Sequence, residues 1–539
     1  MKNTQIPLVA SRFWLDLLCP ESDKRHLRDR HEASGSTKEF TAWLMAEAQT
    51  SALDDDLRFW GQMAIIEAAC CQAQETFQYL VPPEDGMVIN PTLSLLELDW
   101  DFFPTIQALL QNQNVSVKDR PEKHSQRLMV WCSLPEGALR ISVASDWKLL
   151  VLKLLAEETD LKIVAKDQEI AVGSLDNLIW QAVDAGFVVR TPSQLRRDPA
   201  FNISSKVAQP QILQADTFTL QWHITQHCKL HCKHCYDRSK RSTLNLAQID
   251  SVLSRFRHFC QSRHVRGQIH LSGGDPLLYP NFRTFYQTVA NYGFLTAILG
   301  NPTTSQRLDE ILAIQPLQYY QLSLEGLPKH NDAIRGLGHF QQTLEFLELL
   351  KQKNIFSKVV LTLTSANIDQ VIPLTRMLKD RISQFTFSRL SKTGEGADLE
   401  LPTSKAYSAF LNSYVDEAQN NPLLSHKDGL TNIILEERAL PLCRGCTGFG
   451  CGAAFNFIAL LADGEVHACR KFPSPLGNIL DRDFNEVYDS HSAQSFRGGS
   501  HACRDCNLLA VCGGCLAVTA GEGQDFLTVR DPHCFRQTV

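Results

Sequence analysis

The placement of cysteine constrains this chain more than any other feature of its sequence. Of 17 cysteines in 539 residues, three are confined to residues 228–235 and nine lie between Cys443 and Cys534. A disulfide framework is typical of small secreted chains, whereas short Cys-x-x-Cys spacings in a large chain without an export signal favour metal binding. The sequence therefore predicts two metal-binding regions.

Charge and hydropathy narrow the class of protein further. The formal net charge is −6, whereas nucleic-acid-binding scaffolds usually present a basic face. No apolar run reaches the roughly 18 residues needed to cross a bilayer, and Arg12, Asp16 and Glu21 interrupt the apolar stretches that a signal peptide would need. We therefore expect a cytoplasmic protein of three or four domains that binds neither nucleic acid nor a membrane.

Hydrophobic periodicity predicts two segments in the first part of the chain. Residues 1–117 are predicted to be a helical N-terminal region, because their apolar residues recur at helical spacing. In residues 118–197, two strand patterns precede two helix patterns and a Gly-Phe-Val-Val strand at 186–189. This order predicts a small winged-helix-like α+β domain, and the polar residues 196–210 that follow are typical of a linker.

Strands and helices alternate from residue 217 onward. Six strand patterns with helical stretches between them predict a parallel sheet and an α/β fold. We expect a partial (β/α)6 TIM-like barrel over residues 211–400, followed by a linker helix and a cysteine-rich domain over residues 401–539. In such barrels the chemistry lies where strands end and loops begin, and residues 228–235 follow the first strand.

The loop after that strand contains Cys228, Cys232 and Cys235. Three thiolates this close together can ligate three irons of a [4Fe–4S] cluster and leave the fourth iron open. Zinc is the alternative, because three histidines stand among the cysteines and zinc accepts a Cys3His ligand set. The ligand types favour the cluster, but the spacing alone leaves both metals open.

The C-x3-C-x2-C spacing of this loop, followed by Tyr236, resembles the signature of the radical S-adenosylmethionine (SAM) superfamily. A second motif of that superfamily is expected one strand–helix unit later, where two glycines allow a close backbone approach to SAM. The residues at that place are Gly273, Gly274, Asp275 and Pro276, with Asp275 instead of the usual glutamate.

Two later strand ends also match motif positions of this superfamily. Asn301 follows the third strand, although Pro302 replaces the usual glycine, and Ser323 and Arg335 belong to a later matching stretch. The resemblance implies that SAM chelates the open iron and contacts the residues of these motifs, with Ser323 at its polar edge and Arg335 as a candidate carboxylate partner. It also implies reductive cleavage of SAM to a 5′-deoxyadenosyl radical that abstracts hydrogen from a substrate.

The C-terminal cysteine region resembles a SPASM domain, whose opening matches at Cys451, Gly464 and Cys469. The resemblance implies two auxiliary [4Fe–4S] clusters, although the spacing from Cys512 to Cys515 is one residue shorter than usual and a zinc ribbon is an alternative. The implied ligands are Cys446 (or Cys443), Cys451, Cys469 and Cys515 for the first cluster and Cys503, Cys506, Cys512 and Cys534 for the second.

SPASM-type enzymes mostly act on peptides or proteins, and residues 118–197 resemble the PqqD-like domain that binds leader peptides. These resemblances imply a maturase that makes a thioether or another cross-link in a ribosomally synthesised precursor peptide with a leader. The layout is most similar to that of the selenobiotic-type maturases. An electron donor such as flavodoxin or ferredoxin is implied as a further partner, and the sequence identifies no catalytic acid or base.

Two other functions stay open at this point. An anaerobic sulfatase-maturase-like enzyme would make formylglycine, but those enzymes carry an acidic residue directly after the second cysteine of the SPASM opening, where this chain has Arg470. A non-catalytic metal-binding peptide adaptor would have no use for the Gly-Gly-Asp-Pro motif.

Overall fold

The computed structural model describes residues 55–110, 121–198, 201 and 210–536 of the chain. The chain divides into two compact units, Met1–Pro192 and Ser193–Val539. Residues 1–54 and 111–117 of the predicted helical N-terminal region lie outside the described residues. Within the described ranges, no helix is both long enough and apolar enough to span a membrane.

The first unit combines helices with two small antiparallel sheets. Its elements in chain order are α1 (Asp55–Phe77), β1 (Met87–Ile89), β2 (Ser94–Leu98), α2 (Phe102–Leu110), β3 (Gln126–Ser133), β4 (Ala138–Val143), α3 (Asp146–Ala156), α4 (Leu161–Asp167), α5 (Val172–Ala185) and β5 (Val188–Arg190). One sheet has the order β2-β3-β4, and the other pairs β1 with β5.

Strands β1 and β2 differ from the sequence-based prediction, which made the whole of residues 1–117 helical. Both strands find their partners in later segments, since Ile89 lies opposite Val188 and Leu98 lies opposite Gln126. Such short strands are stable only when paired, so the helical periodicity of their neighbours misled the prediction. The boundary predicted between residues 117 and 118 consequently falls inside one compact unit.

Both faces of β3 are covered by apolar side chains. On one face, Val130 shares a buried cluster with Ala69 and Ala73 of α1. On the other face, Trp131 meets the ring of Phe187 edge to face, with the ring centroids 5.8 Å apart. This alternation along β3 explains why the helix α1 and the later helices belong to one unit.

The strands and helices predicted between residues 127 and 189 are present. Helix α5 ends at Gly186, whose φ of 84° is left-handed, as the glycine at the predicted helix end requires. Helix α4 was not predicted; it is seven residues long and begins at Asp160, whose side chain accepts a hydrogen bond from the Lys162 amide.

The second unit begins with the predicted barrel. Its elements in chain order are α6 (Pro210–Leu213), β6 (Thr217–Thr225), α7 (Leu246–Ser262), β7 (Arg266–Gly273), α8 (Phe282–Asn291), β8 (Leu295–Leu299), α9 (Ser305–Leu312), β9 (Tyr319–Ser323), α10 (Pro328–Arg335), α11 (His339–Gln352), β10 (Ser357–Leu363), α12 (Val371–Met377) and β11 (Gln384–Arg389). Strands β6 to β11 pair in chain order and in parallel. The predicted partial (β/α)6 barrel is confirmed.

The cysteine-rich region continues the sheet of the barrel. Its elements are α13 (Ser404–Asn420), α14 (Thr431–Glu437), β12 (Phe457–Leu460), β13 (Glu465–His467), β14 (Pro475–Asn478), α15 (Phe484–Asp489), α16 (His491–Gly498) and α17 (Leu516–Gly521). Strand β12 pairs in parallel with β6, from Phe457 opposite Thr219 to Leu460 opposite Trp222. Residues 401–539, predicted as a separate segment, thus belong to the same compact unit as the barrel.

An aromatic cluster fixes the cysteine-rich region against the barrel. The ring of Phe218 in β6 lies 4.8 Å from that of Phe259 and 5.8 Å from that of Tyr488, and Phe256 lies 5.3 Å from Phe484. The phenylalanine side chains are at most 1% exposed. Burying a phenylalanine stabilises a fold by roughly 1.5–3 kcal/mol, so this cluster strongly constrains where the C-terminal cysteines lie.

Candidate active site

The three-cysteine loop leaves the barrel at the carboxyl end of β6. Its thiols are separate: the Leu230 amide donates a hydrogen bond to Cys228 Sγ at 3.4 Å, and the Cys235 thiol donates to the Asp237 carbonyl at 3.4 Å. In the described ranges no disulfide joins two cysteines, and no three metal-binding side chains converge on the position of one ion. Three thiols in one loop are a ligand set that suits a [4Fe–4S] cluster with one open iron.

Three different barrel loops hold this cysteine loop by its backbone. The Asp275 amide, after β7, donates to the His227 carbonyl at 2.7 Å. The Lys233 amide donates to the Ile334 carbonyl at the end of α10 (3.1 Å), and the Glu395 amide, after β11, donates to the Cys235 carbonyl (2.9 Å). Since parallel strands bring their carboxyl ends to one edge, loops far apart in sequence fix the thiols before any cofactor binds.

The two glycines of the Gly-Gly-Asp-Pro turn pack against the cysteine loop. A side chain at Gly273, where φ is 130°, would collide with the Thr225 carbonyl, and one at Gly274 would collide with the carbonyls before Cys228. The Gly274 amide donates to the Thr225 carbonyl at 2.8 Å. The sequence analysis explained these glycines by a close backbone approach to SAM. The close approach that the structure shows is instead between the end of β7 and the end of β6.

Asp275 and Asn301 form a small polar bridge beside the loop. The Asn301 side-chain amide donates to Asp275 Oδ2 at 3.2 Å and lies 3.8 Å from Cys228 Sγ. The Tyr320 hydroxyl donates to the Asn301 carbonyl at 2.7 Å and so fixes the turn. Burial raises the pKa of the Asp275 carboxyl, while the amide of Asn301 opposes that shift. Pro276, also predicted at this site, is buried next to them.

Arg335 contacts a carboxylate of the chain itself. Its Nε and Nη2 atoms donate to Glu325 Oε1 at 2.8 and 2.5 Å, and its Nη1 lies 3.7 Å from Cys232 Sγ. The Nε2 atom of His234 lies 2.8 Å from the same carboxylate oxygen. Burial would raise the pKa of Glu325, but His234 and Arg335 hold it below its usual value. The ion pair between Arg335 and Glu325 therefore supports the cysteine loop, with contacts to Cys232 and His234.

Glu325 and His234 were missed by the sequence analysis. Glu325 is 1% exposed, and its other oxygen accepts a hydrogen bond from the Thr362 amide at 2.8 Å. The available signal was an acidic residue directly after a buried strand, in the same matching stretch as Ser323 and Arg335. Ser323 itself ends β9 and is half-buried.

Tyr236 lies against the interior of the barrel. Its hydroxyl is 3.1 Å from His223 Nε2, and the guanidinium of Arg470 lies 5.7 Å from the centre of its ring. Burial, with a contribution from Arg470, lowers the pKa of His223 to about 3. His223 is therefore a neutral hydrogen-bonding partner at physiological pH, and it was also missed by the sequence analysis.

Five cysteines of the cysteine-rich region line one cavity that also reaches inside the barrel: Cys446, Cys451, Cys469, Cys512 and Cys515. All of these except Cys512 are the ligands implied for the first auxiliary cluster and form the first four-thiol set. Burial raises the pKa of Cys451 to about 12, and the thiols of Cys515, Cys446 and Cys469 add to that shift. Thiolates that repel one another at close range are stabilised by metal cations, so these residues fit an iron–sulfur cluster. Cys443 differs, since its amide donates to Asn432 Oδ1 at 2.8 Å and a nearby charge is that of Asp428.

Four thiols line a second, small cavity of about 30 Å³; they belong to Cys503, Cys506, Cys512 and Cys534. Burial raises the pKa of Cys503 to about 11, with Cys506 and Cys534 as contributing neighbours. These four are the ligands implied for the second auxiliary cluster and form the second four-thiol set. The eight C-terminal thiols thus gather around two adjacent cavities, and Cys512 lines both of them.

The short spacing between Cys512 and Cys515 has a local cause. Gly513 and Gly514 have φ values of 64° and 66°, a left-handed conformation that glycine adopts easily. The Gly514 amide turns back to donate to Cys512 Sγ at 3.5 Å. A turn of two left-handed glycines therefore separates the two cysteines: both line the large cavity, and Cys512 also lines the small one.

A buried ion network joins the two thiol sets to the barrel. Arg389, at the end of β11, contacts both carboxylate oxygens of Asp531 at 2.7 Å and Asp428 Oδ2 at 2.8 Å. Asp531 in turn accepts hydrogen bonds from the Cys515 amide at its side chain and from the Cys534 amide at its carbonyl, both at 2.8 Å. The sequence analysis missed this network, which lies between members of the two sets.

Comparison with known proteins agrees with this geometry. Residues 222–376 match the model of the radical SAM superfamily, and residues 451–507 match an iron–sulfur cluster-binding domain, SPASM. A barrel with a three-cysteine loop at its catalytic edge, matched in this way, defines a radical SAM enzyme. More particularly, the chain is a radical SAM protein with a SPASM domain, so it binds SAM with one [4Fe–4S] cluster and carries auxiliary iron–sulfur clusters.

Relatives of known function fall into two groups. The chain is 25% identical over 312 residues to the antilisterial bacteriocin subtilosin biosynthesis protein AlbA of Bacillus subtilis, covering 54% of this chain and 66% of that protein. It is 27% identical over 343 residues to mycofactocin maturase MftC of Mycobacterium ulcerans, covering 58% and 87%. It is also 23% identical over 345 residues to an AdoMet-dependent heme synthase of Methanosarcina barkeri, covering 58% and 95%.

Proposed function

We propose that this chain is a radical SAM peptide maturase that oxidatively cross-links a ribosomally synthesised precursor peptide. The observation that carries the proposal is the joining of a three-thiol barrel loop and two four-thiol sets in one compact unit. Similarity to AlbA and MftC, named for bacteriocin biosynthesis and cofactor maturation, favours a peptide substrate. A thioether or a carbon–carbon link would be the product.

In this proposal Cys228, Cys232 and Cys235 hold the cluster that binds SAM, and the two four-thiol sets hold the auxiliary clusters. When bound, the cluster and SAM supply a 5′-deoxyadenosyl radical that abstracts hydrogen from the substrate. SAM would contact Ser323 at the end of β9 and the two nearby motif positions, which are Gly273, Gly274, Asp275 and Pro276 after β7 and Asn301 after β8. Tyr236 closes the loop on the barrel side, where it excludes water from the site.

Two side chains would tune the loop thiolates. Asn301 and Arg335 each place an N–H group within 3.8 Å of a sulfur, beside Cys228 and Cys232 respectively. Such contacts orient a ligand and stabilise negative charge on it, which is how residues around a metal site adjust its affinity and potential. Glu325 keeps Arg335 in this position, so its role is that of a positioning residue.

The first unit would bind the leader of the precursor. Strand β4 lies at an edge of its sheet, and an edge strand presents unpaired backbone groups to which an extended peptide can add. Val143 at the end of β4 is 37% exposed. Holding the leader there raises the effective concentration of the core peptide at the barrel. The PqqD-like assignment of residues 118–197 is part of this proposal.

Leader binding is testable with two matched variants. Val143→Glu places a charge at the β4 edge and is expected to weaken binding of a fluorescent precursor peptide about tenfold or more. Ile163→Glu, at an exposed position of α4 in the same unit, is the control and is expected to leave the affinity unchanged. Equal losses in both variants would contradict the β4 site.

The remaining partner is an electron donor, a flavodoxin or a ferredoxin, which reduces the SAM-binding cluster. A cytoplasmic location belongs to the same proposal, because free thiols of this number persist in a reducing compartment.

The deciding experiment is anaerobic reconstitution with iron, sulfide, SAM and the precursor peptide encoded beside this chain. We expect 5′-deoxyadenosine and a peptide mass lower by about two hydrogens per cross-link. Formylglycine in the peptide would favour the sulfatase-maturase alternative, and a protein that binds peptide without cleaving SAM would be an adaptor. Turnover of Fe-coproporphyrin III with an unchanged peptide would replace the proposal by the activity of the heme-synthase relatives.

A further inference from the structure

A cavity of about 680 Å³ lies inside the barrel and reaches the first four-thiol set. A volume of this size suits a small ligand or a few residues of a peptide. The wall is formed largely by side chains of the barrel strands, and five glutamines contribute amide groups to it: Gln221, Gln268, Gln318, Gln321 and Gln384. Side-chain amides both donate and accept hydrogen bonds, which matches the polar backbone of a peptide better than the flat apolar face of a tetrapyrrole.

The cavity carries an excess of positive charge. Arg389, which is paired with Asp428 and Asp531, lines it together with four other cations: Lys358, Lys427, Arg470 and Lys471. Among its described lining residues Asp428 is the single acid. Asp428 is already engaged, since its carboxylate accepts from Arg389 at 2.8 Å and from the Leu430 amide at 3.0 Å. The cavity therefore offers cationic groups without supplying a free carboxylate to them.

Apart from Arg389, the contacts of these cations in the described part of the chain are with neutral groups. Lys427 Nζ donates to Ser388 Oγ at 3.2 Å, and Arg470 Nη1 donates to Ser272 Oγ at 3.3 Å. Lys358 Nζ lies 4.3 Å above the ring of Tyr319. Partly desolvated cations held by hydroxyls and a ring, rather than by carboxylates, are able to bind an incoming anion strongly.

His270 also lines the cavity. Burial lowers the pKa of His270 to about 3, and the charges of Lys358, Arg470 and Lys427 lower it further. The Tyr319 hydroxyl lies 3.2 Å from His270 Nε2, and Lys358 Nζ lies over the ring of the same tyrosine. A neutral imidazole and a phenol therefore stand beside Lys358 on the cavity wall. Arg470, which lines the same cavity, reaches Ser272, directly before Gly273, so the cavity extends to the edge assigned to SAM.

We propose that the cavity binds a carboxylate of the peptide substrate, from an acidic side chain or the C-terminus, between Lys358 and Lys427. The inference rests on the proposed function, because it takes the substrate to be a peptide. The carboxylate would anchor the core peptide and set which of its residues faces the radical. Lys358 and Lys427 are specificity-determining residues in this scheme.

The competing explanation is that these cations balance the negative charge of the auxiliary cluster. Lys427 is near enough to Cys446 for that thiolate to affect its pKa. Lys358 belongs instead to the barrel wall, where it contacts Tyr319, and burial alone lowers its pKa. The two explanations differ in what a loss of charge changes: the affinity for a carboxylate, or the iron content.

The test uses the full reconstituted chain and two neutral-ended probes, N-acetyl-glutamate N-methylamide and N-acetyl-glutamine N-methylamide. By calorimetry we expect the glutamate probe to bind more tightly than the glutamine probe by about tenfold, because hydrogen bonds between charged groups are stronger than those to a neutral amide. Lys358→Met and Lys427→Met should each remove that preference, and Lys427→Arg should keep it. Lys351→Met, an exposed change on α11, is the matched control.

Equal affinities for the two probes in the unaltered protein would overturn the proposal. Loss of iron or of the auxiliary cluster signal in Lys427→Met, with the glutamate preference retained, would also overturn it and assign the cations to the cluster. If Fe-coproporphyrin III displaces the glutamate probe and is turned over while peptides are not, the proposed peptide substrate fails and the carboxylate site stands on its own.

Discussion

The three-cysteine loop and the C-terminal cysteine region are built in opposite ways. The loop gathers its thiols within residues 228–235, and neighbouring barrel loops hold it by single backbone hydrogen bonds. The C-terminal thiols come from residues spread between Cys446 and Cys534, and a buried ion network holds them. The thiols of the loop are close together because they are neighbours in the sequence. The C-terminal thiols come together only when the long-range packing of the second unit is complete.

The largest expected effect is on SAM cleavage, which should depend on the loop cysteines and not on the second auxiliary set. Cys232→Ala should abolish 5′-deoxyadenosine formation, because a loop with two thiols loses the ligand set that leaves one iron open for SAM. Cys503→Ala should lose about four irons per chain from the second auxiliary set and still cleave SAM. Chromatography of 5′-deoxyadenosine and an iron assay measure both. Abolished cleavage in both variants would mean that the regions are not independent.

A second pair of variants tests which of two cysteines, Cys443 or Cys446, belongs to the first auxiliary set. Cys446→Ser should lower the iron content by about four per chain and stop peptide modification while SAM cleavage continues. Cys443→Ser should change neither quantity, because Cys443 is not among the residues that line the cavity of the first set. Iron analysis and peptide mass spectrometry check the pair. The reverse result would place Cys443 in the set.

Arg389→Met tests the buried ion network of the C-terminal cysteine region. Leaving Asp428 and Asp531 buried without their cation should destabilise the second unit by about 3–5 kcal/mol. Arg376→Met removes an exposed ion pair with Glu417 and should leave the free energy of unfolding nearly unchanged, because solvent screens such pairs. Denaturant unfolding of the anaerobic protein gives both values. Similar small losses would show that the network does not hold the C-terminal thiols.

The smallest effect concerns the support of the loop. Asn301→Ala removes the hydrogen bond to Asp275 and the contact with Cys228, at a cost of about 1 kcal/mol. Affinity for SAM should weaken about fivefold, with the iron content unchanged. Asn291→Ala, at an exposed position at the end of α8, serves as control. A loss of the cluster in Asn301→Ala would mean that one side chain, rather than several loops, holds the thiols.

The sequence alone predicted the structure best where the signal lies in a short segment of the chain. The strands of the barrel fall where alternation of apolar residues predicts them, and the Gly-Gly-Asp-Pro turn follows β7 as expected. Strands β1 and β2 were missed because their pairing partners lie in β5 and β3, far along the chain. Periodicity reports the neighbours of a residue in sequence, and these strands depend on neighbours in space.

The residues of the candidate site show the same contrast between what the local sequence predicts and what depends on packing. Glu325 and Asp531 look like ordinary acidic residues in the sequence, and only packing shows that they are buried beside Arg335 and Arg389. Placement of Cys446 next to Cys451 and Cys515 likewise depends on the fold, because spacing allows Cys443 equally well.

By itself the sequence determined the parallel barrel, the three-thiol loop and the presence of a second cysteine-rich region. The tertiary structure decided which distant thiols meet, which charges are paired and which cations are left facing the cavity. The physical reason is that ligand type and strand periodicity are properties of short segments. Burial and electrostatic pairing arise only when segments hundreds of residues apart, such as β6 and β12, are brought into contact.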